Sequence, residues 1–298
     1  MAAPTRCLTP PFALGILMLA IQVPDLAQAQ DSVPFPRADR LTIAVHARLL
    51  AGSADSVRLE YLVSNASVSE QAGMALVVRA LLPLYRVSGP ALWWASRATV
   101  QDSAAAQWFV VDRRALIPPG GTQAGFRLSG VGVTDIVAYR VQGFHEPPAV
   151  EEGAAVQTPP SFWVNSAGDV TVGVIPFPTD SSVGALLARI RTLTDAACGR
   201  TWIGVPACNA LRGHLDLAQQ ALAQQDSVGT RTHIQAYRAE AGQLADDGLA
   251  LLLPNADFIL GRLPTGGTAH TLYLTGSGGT ANPPTLSLSI TAPSGTTA

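Results

Sequence analysis

The chain has 298 residues, 48% of them hydrophobic and 13% charged, with a formal net charge of −2. That length supplies two modest domains, each with its own core. All nineteen basic residues are arginines; they form no basic run, which argues against a nucleic-acid partner.

The N-terminus reads as an export signal. Arg6 supplies a positive end, PFALGILMLAIQV (11–23) is an apolar run, and Pro24 and Asp25 end it. Ala27-Gln28-Ala29 then has the small-x-small form of a cleavage site, so residues 1–29 are expected to be removed. A membrane anchor is the competing reading. The run of thirteen residues falls short of that, because a bilayer needs ~20. No later stretch reads as a membrane helix. The expectation is an exported protein, periplasmic, cell-surface or extracellular, with no membrane span once the signal is gone.

Residues 30–175 read as strands. In LTIAVHARLL (41–50), Leu41, Ile43 and Val45 share one side; in VRLEYLVSN (57–65), Val57, Leu59, Tyr61 and Val63 do. MALVVRALL (74–82), WWASRATV (93–100), QWFVVD (107–112), TQAGFRLSG (122–130) and DIVAYRVQG (135–143) follow, then SFWVNS and DVTVGVI. Turn-forming clusters such as AGSAD, IPPGG and NSAGD separate them. Short alternating strands at this spacing predict an antiparallel, Ig-like β-sandwich with each sheet wet on one face.

IPFPTDSS, around 176–182, reads as a linker in which Asp180 or Ser181 can cap a helix. Val183, Leu186, Leu187, Ile190 and Leu193 then recur at helical spacing. A second helix carries Leu211, Leu215, Ala218 and Leu222. Asp226 can cap a third, with Ile234, Tyr237, Ala241 and Leu244 on one stripe, and Asp246 a fourth, LALLLPNADFIL, which Pro254 should kink or shorten. Four such helices with short loops predict a small antiparallel bundle over 183–262 that buries its stripes internally. Residues 263–298 are rich in Gly, Thr, Ser and Pro and read as a linker or the start of a further β module.

Cys198 and Cys208 lie ten positions apart and are the only cysteines left once the signal carrying Cys7 is gone. A zinc site would want four ligands, and a redox pair would prefer C-x-x-C spacing. In an oxidising compartment a Cys198–Cys208 disulfide is the economical reading. The chain-entropy model gives it roughly 2.8 kcal/mol.

The helical stretches LRGHLDLAQQALAQQDS, THIQAYRAEAG and GLALLLPNADFIL resemble the FIMAH domain, a helical module appended to many secreted and surface bacterial proteins. The resemblance covers roughly 183–262 and departs from the family's Gly-Asp turn, which reads Gln225-Asp226 here. It implies an accessory role and carries over no catalytic residue. The β half, through IPPGGTQAGFRL, AYRVQGF and VTVGVIPFP, is similar to a domain that often precedes such modules in exported bacterial proteins.

No catalytic signature stands out in the sequence. There is no G-x-S-x-G elbow, H-E-x-x-H motif or phosphate-cradling loop; Gly276-Ser277-Gly278-Gly279 reads as flexible linker. His145-Glu146 could do acid–base work or ligate a metal but reads as a solvated loop. His46 reads as a surface residue on its strand, and His214 and His233 as polar-face residues of helices. Among the acids, Glu151-Glu152 and Asp112 are surface spots, and Asp246-Asp247 complement a helix N-terminus. Asn65-Ala66-Ser67 matches a glycosylation sequon but is explained by turn chemistry.

The aromatics are the remaining lead. Trp93 and Trp94 are adjacent, so on a strand they point to opposite faces. One can fill the core, and the other, beside Tyr85, could stack on a sugar ring or a partner. Trp108, Phe109, Phe162 and Trp163 pose the same choice, and Trp202 is expected to pack over the helix ends. The resulting expectation is a non-catalytic, surface-associated structural or adhesion-type protein without a metal or cofactor. Its expected partner is a cell-envelope polysaccharide or another surface protein. A carbohydrate-binding module using Trp93, Trp94 and Tyr85 is the first alternative, and a glycoside hydrolase whose acids meet only in three dimensions is the second.

Overall fold

Two antiparallel sheets face each other across a core drawn from alternating positions. The computed structural model describes residues 35–52, 56–80, 84–100, 103–146 and 161–264, with backbone only at 84–85, 99–100 and 103. The expected signal segment, Glu151-Glu152 and the 265–298 tail lie outside the described residues. The strands are β1 (Ile43–Gly52), β2 (Ser56–Asn65), β3 (Gly73–Arg79), β4 (Leu84–Ser88), β5 (Trp93–Val100), β6 (Ser103–Val110), β7 (Thr122–Val131), β8 (Val133–Gly143) and β9 (Val170–Ile175). One sheet has the order β1-β2-β7-β4 and the other β5-β6-β3-β8-β9.

Alternation places the core as the sequence predicts. Val57, Leu59, Tyr61 and Val63 on β2 are all buried, as are Val45 and Ala47 on β1. Aromatic rings from both sheets meet edge to face: Trp108 lies 6.0 Å from Tyr61 and 5.8 Å from Phe126. Such pairs add about 0.5–1.5 kcal/mol beyond the area they bury. Their polar tips are satisfied across the sandwich. Tyr61 Oη donates to the Val172 carbonyl at 2.9 Å, and the Trp108 indole to the Ser88 carbonyl at 2.8 Å. Burial pushes the Tyr61 phenol far above its ordinary pKa, so it stays a donor.

Three local expectations are corrected. Strand β4 is additional to those predicted; its five residues are too short for alternation to stand out. SFWVNS is not a strand: residues 162–164 form a turn, and only Ala167 makes an isolated bridge, to Val141. Trp163 instead stacks near the Arg79 and Arg140 guanidiniums, 5.2 and 5.7 Å from its ring centre. Asn65 is no open turn residue. It is buried, and its amide donates to the Gln71 and Ile117 carbonyls, each at 2.9 Å.

The helices are α1 (Val183–Gly199), α2 (Val205–Ala223), α3 (Ser227–Ala241) and α4 (Asp246–Leu260). Their predicted stripes are buried, including Leu187, Ile190, Leu211, Leu215, Ile234 and Tyr237. Ser182, rather than Asp180 or Ser181, caps α1, accepting from the Ala185 amide at 3.3 Å; Asp180 supports it by accepting from Ser182 N. Asp226 caps α3, accepting from Gly229 N at 2.8 Å. Ala245, not Asp246, occupies the cap position of α4, and it makes no side-chain cap bond. Cys198 and Cys208 form a disulfide that ties the end of α1 to the first turns of α2, with Cα atoms 6.0 Å apart. No helix among the described residues is long and apolar enough to cross a membrane.

The bundle does not bury its stripes only internally. Helix α4 packs on α1 and α3 and also on β1, β8 and β9. The reason is in its sequence: Leu251, Leu252, Ala256, Phe258 and Ile259 leave it apolar on all sides, and such a helix must be enclosed. It lies against edge strands of both sheets, β1 of one and β9 of the other. Phe258 stacks on Phe177 with ring centres 4.9 Å apart. Pro254 does not shorten the helix, which runs on to Leu260. Beside it, the Leu251 carbonyl accepts from Thr134 Oγ1 and from Asn255 Nδ2, both at 2.7 Å. The same amide reaches the Thr134 carbonyl at 3.0 Å, where Arg189 of α1 also donates. A buried polar knot therefore welds β8, α1 and α4.

Candidate functional site

Register decides what the two adjacent tryptophans do. In the β5–β6 hairpin Trp93 lies opposite Val110, Trp94 opposite Phe109, and Ser96 opposite Gln107. Trp93 turns inward and is only 8% exposed. Its indole N–H donates to the Ala115 carbonyl at 3.1 Å, and its ring meets Phe126 edge-on at 4.8 Å. Trp93 is therefore a core residue, unavailable to a ligand. Trp94 turns outward, 54% exposed, and stacks on Phe109 with ring centres 6.1 Å apart and planes 28° from parallel.

The surroundings of that pair form a graded surface. At the open end of the hairpin, exposed Leu92 and Val111 join through a 2.9 Å backbone bond from Val111 N to Leu92 O. Leu92 holds φ 64, a conformation that costs a branched residue free energy. On the other side Gln107 Nε2 donates to Ser96 Oγ at 2.8 Å. An aromatic rung thus lies between an aliphatic end and an amide–hydroxyl rung, about 7 Å apart along the strand. Tyr85 is not on this face. It belongs to β4, in the other sheet, at a register irregularity between Leu84 and Arg86. Phe109, which the sequence left ambiguous, completes the site, and cross-strand pairing with Trp94 is the signal that finds it.

A second constellation lies where α4 meets β1. Asp247, 4% exposed, accepts from the Ala47 amide at 2.7 Å through Oδ1 and meets His46 Nδ1 at 2.7 Å through Oδ2. Ala47 pairs with Tyr61 on β2, and its amide points to the open side of β1. Asp247 therefore covers an exposed sheet edge, in addition to sitting in the first turn of α4. Burial raises its carboxyl above the ordinary range, against hydrogen bonds from Ala47 and His46 that lower it. His46 is the surface residue the sequence predicted, 47% exposed, and also the outer half of this pair. The signal that could have flagged Asp247 is an acid at the mouth of a helix apolar all round.

Next to the pair is an open groove of about 390 Å³, walled by His46, Tyr139, Asp169, Arg200 and Trp202. Burial pushes the Tyr139 phenol up to about 12, so it donates to the Ile43 carbonyl at 2.8 Å. Arg200 lies 3.5 Å from Asp169 and 5.8 Å from the Trp202 ring centre. Trp202 is half-buried, and its carbonyl comes against Gly248 of α4, where a Cβ would stand 3.2 Å away.

Two further acids that the sequence singled out are committed locally. Glu146 accepts both terminal nitrogens of Arg113, at 2.9 and 3.0 Å. Asp112 holds Arg114, which keeps its carboxyl below the ordinary range. His214 and His233 are half-buried on α2 and α3. Among the described residues no group of three or more His, Cys, Asp or Glu is placed to hold a metal ion.

The sequence matches no protein-family model and no curated protein. Among solved structures it is similar to an uncharacterized protein from Nocardia farcinica described as having an immunoglobulin-like fold. The identity is 18%, the match covers 44% of this chain and 97% of that one, and the TM-score is 0.27. The two facing sheets by themselves define the sandwich.

Proposed function

We propose that the protein is an exported, non-catalytic adhesion-type module that holds polysaccharide on the outer face of its β5–β6 hairpin. The observation that carries this reading is the Trp94–Phe109 pair, stacked, solvent-facing and followed one rung on by the Gln107–Ser96 pair. A sugar ring offers C–H bonds to an aromatic face and hydroxyls to a neighbouring amide, and that rung sequence supplies both. The Cys198–Cys208 disulfide supports export, since such bonds persist in oxidising compartments. A non-catalytic role is supported by the acids: Asp247, Glu146 and Asp112 each hold a structural partner. The helical part then serves as a brace on the open edge of the sandwich through α4.

The test is a binding screen of the whole protein against neutral glycans and peptidoglycan, with Trp94→Ala and Phe109→Ala beside the wild type. Loss of one stacking face is expected to weaken binding about tenfold, equivalent to ~1.4 kcal/mol. Equal binding by wild type and Trp94→Ala, or no binding to any glycan, refutes the reading.

A further inference from the structure

The opposite sheet carries a different surface. On its outward positions the register aligns two neighbouring rungs. The first runs Arg48–Glu60–Arg127–Ser88, and the second, two residues along β2, runs Ala51–Arg58–Ser129–Arg86. Four arginines from four different strands therefore converge, and all four are exposed. Glu60 is the one carboxylate on those rungs among the described residues, and it is taken by Arg127 Nε at 2.8 Å. The face is thus strongly cationic in a chain whose net charge is −2. Arg58, Arg86 and Arg127 also rim a shallow hollow of about 220 Å³ floored by Leu128 and Ser129.

We infer that this face binds an acidic polysaccharide, reading carboxylate, phosphate or sulfate groups spaced along the chain. Like charges gathered on one face repel one another, and a bound polyanion relieves that cost. Guanidinium forks suit oxyanions because they can donate two parallel hydrogen bonds. The spacing matches an extended polymer. Within each rung the two arginines stand two strands apart, about 10 Å, roughly the rise of one disaccharide. Ser129 stands between the two arginines of the second rung and Ser88 flanks Arg127 on the first, and both hydroxyls suit sugar hydroxyls. A polysaccharide is favoured over nucleic acid because the face carries no aromatic side chain at its rungs on which bases could stack. The inference takes its ligand class from the proposed function but rests on the charge rungs alone.

The experiment titrates the whole protein with alginate, a polyuronate. Dextran serves as the neutral polymer, with phosphatidylglycerol vesicles and duplex DNA as alternative polyanions. Each is run at low and at raised salt. Wild type is expected to bind alginate saturably, with affinity falling steeply as salt rises. Arg58→Ala/Arg86→Ala is expected to bind about tenfold more weakly, and Arg58→Glu/Arg86→Glu not at all. Both variants change exposed side chains and should keep the wild-type melting curve; Trp94→Ala should bind alginate like wild type. Unchanged alginate binding in the arginine variants overturns the inference, as does preference for vesicles or DNA over alginate. If alginate binding is lost in Trp94→Ala but kept in the arginine variants, the hairpin site stands and the arginine face falls. Failure of alginate alone, with neutral glycans still bound through Trp94, likewise overturns the arginine face and leaves the hairpin site standing.

Discussion

Asp247→Ala tests the idea that one carboxylate seals the edge of the sandwich. The substitution removes the acceptor for the Ala47 amide, a 2.7 Å bond to a fully buried residue. A buried donor left without a partner costs about 1–3 kcal/mol. His46 adds little to that loss, because its half-exposed ring can turn to water. The sum is about 2 kcal/mol. At roughly 2–4 °C per kcal/mol for a protein of this size, the melting temperature should fall by about 4–8 °C. Asp247→Asn keeps an acceptor oxygen for Ala47 and should recover most of the loss at pH 7. The pH dependence has a definite sign. Folding raises the Asp247 carboxyl above 3.8, so its contribution is greatest below 3.8 and is lost as pH rises through the folded value. Wild type should therefore lose stability relative to Asp247→Asn across that window. The assay is a thermal melt of all three proteins with the disulfide intact, joined to hydrogen exchange at the Ala47 amide. If Asp247→Ala melts with wild type and Ala47 exchange is unchanged, the edge-sealing argument is wrong.

Other outcomes follow from the same geometry. Reducing Cys198–Cys208, or replacing both with Ala, should destabilise the protein by roughly 2.8 kcal/mol, read by melts with and without reductant; an unchanged melt would show that the staple adds nothing to stability. Gln225 sits at φ 59, where glycine is at ease, so Gln225→Gly should stabilise by about 0.5–1 kcal/mol in denaturant titration, and a loss of stability would contradict that backbone conformation. Trp93→Ala should cost about 3–5 kcal/mol because it empties a core site and orphans the Ala115 carbonyl. Trp94→Ala, one residue on and solvent-facing, should stay within about 0.5 kcal/mol of wild type, and comparable losses for the two would mean the strand faces are reversed.

Local pattern alone determined a good deal of this protein. Val57, Leu59, Tyr61 and Val63 declare a half-buried strand because successive side chains on a strand point to opposite faces. Leu186, Leu187, Ile190 and Leu193 declare a helix face for the matching reason at a period of 3.6. Two cysteines in a chain read as exported announce their own bond. These signals are short-range, so they survive without knowledge of the fold. They fail where the local signal is brief, as in the five-residue β4, or borrowed, as in SFWVNS, whose Trp163 lies against Arg79 of β3 and Arg140 of β8 in a turn instead of on a strand.

Tertiary structure decided the rest, because contact across strands depends on register and on which element closes an open edge. Trp94 acquired Phe109 as a stacking partner only through the β5–β6 pairing. Arg48, Arg58, Arg86 and Arg127, scattered along the chain, became one cationic face only once four strands aligned. His46 and Asp247 stand 201 positions apart, and neither alone suggests the other. The apolar girdle of α4 did signal enclosure, but not by what. Burial demands are written in the residues, whereas the choice of surface that meets them is a property of the whole chain, since many pairings could satisfy one stripe and only the assembled sheets bring the β1 and β9 edges together under α4.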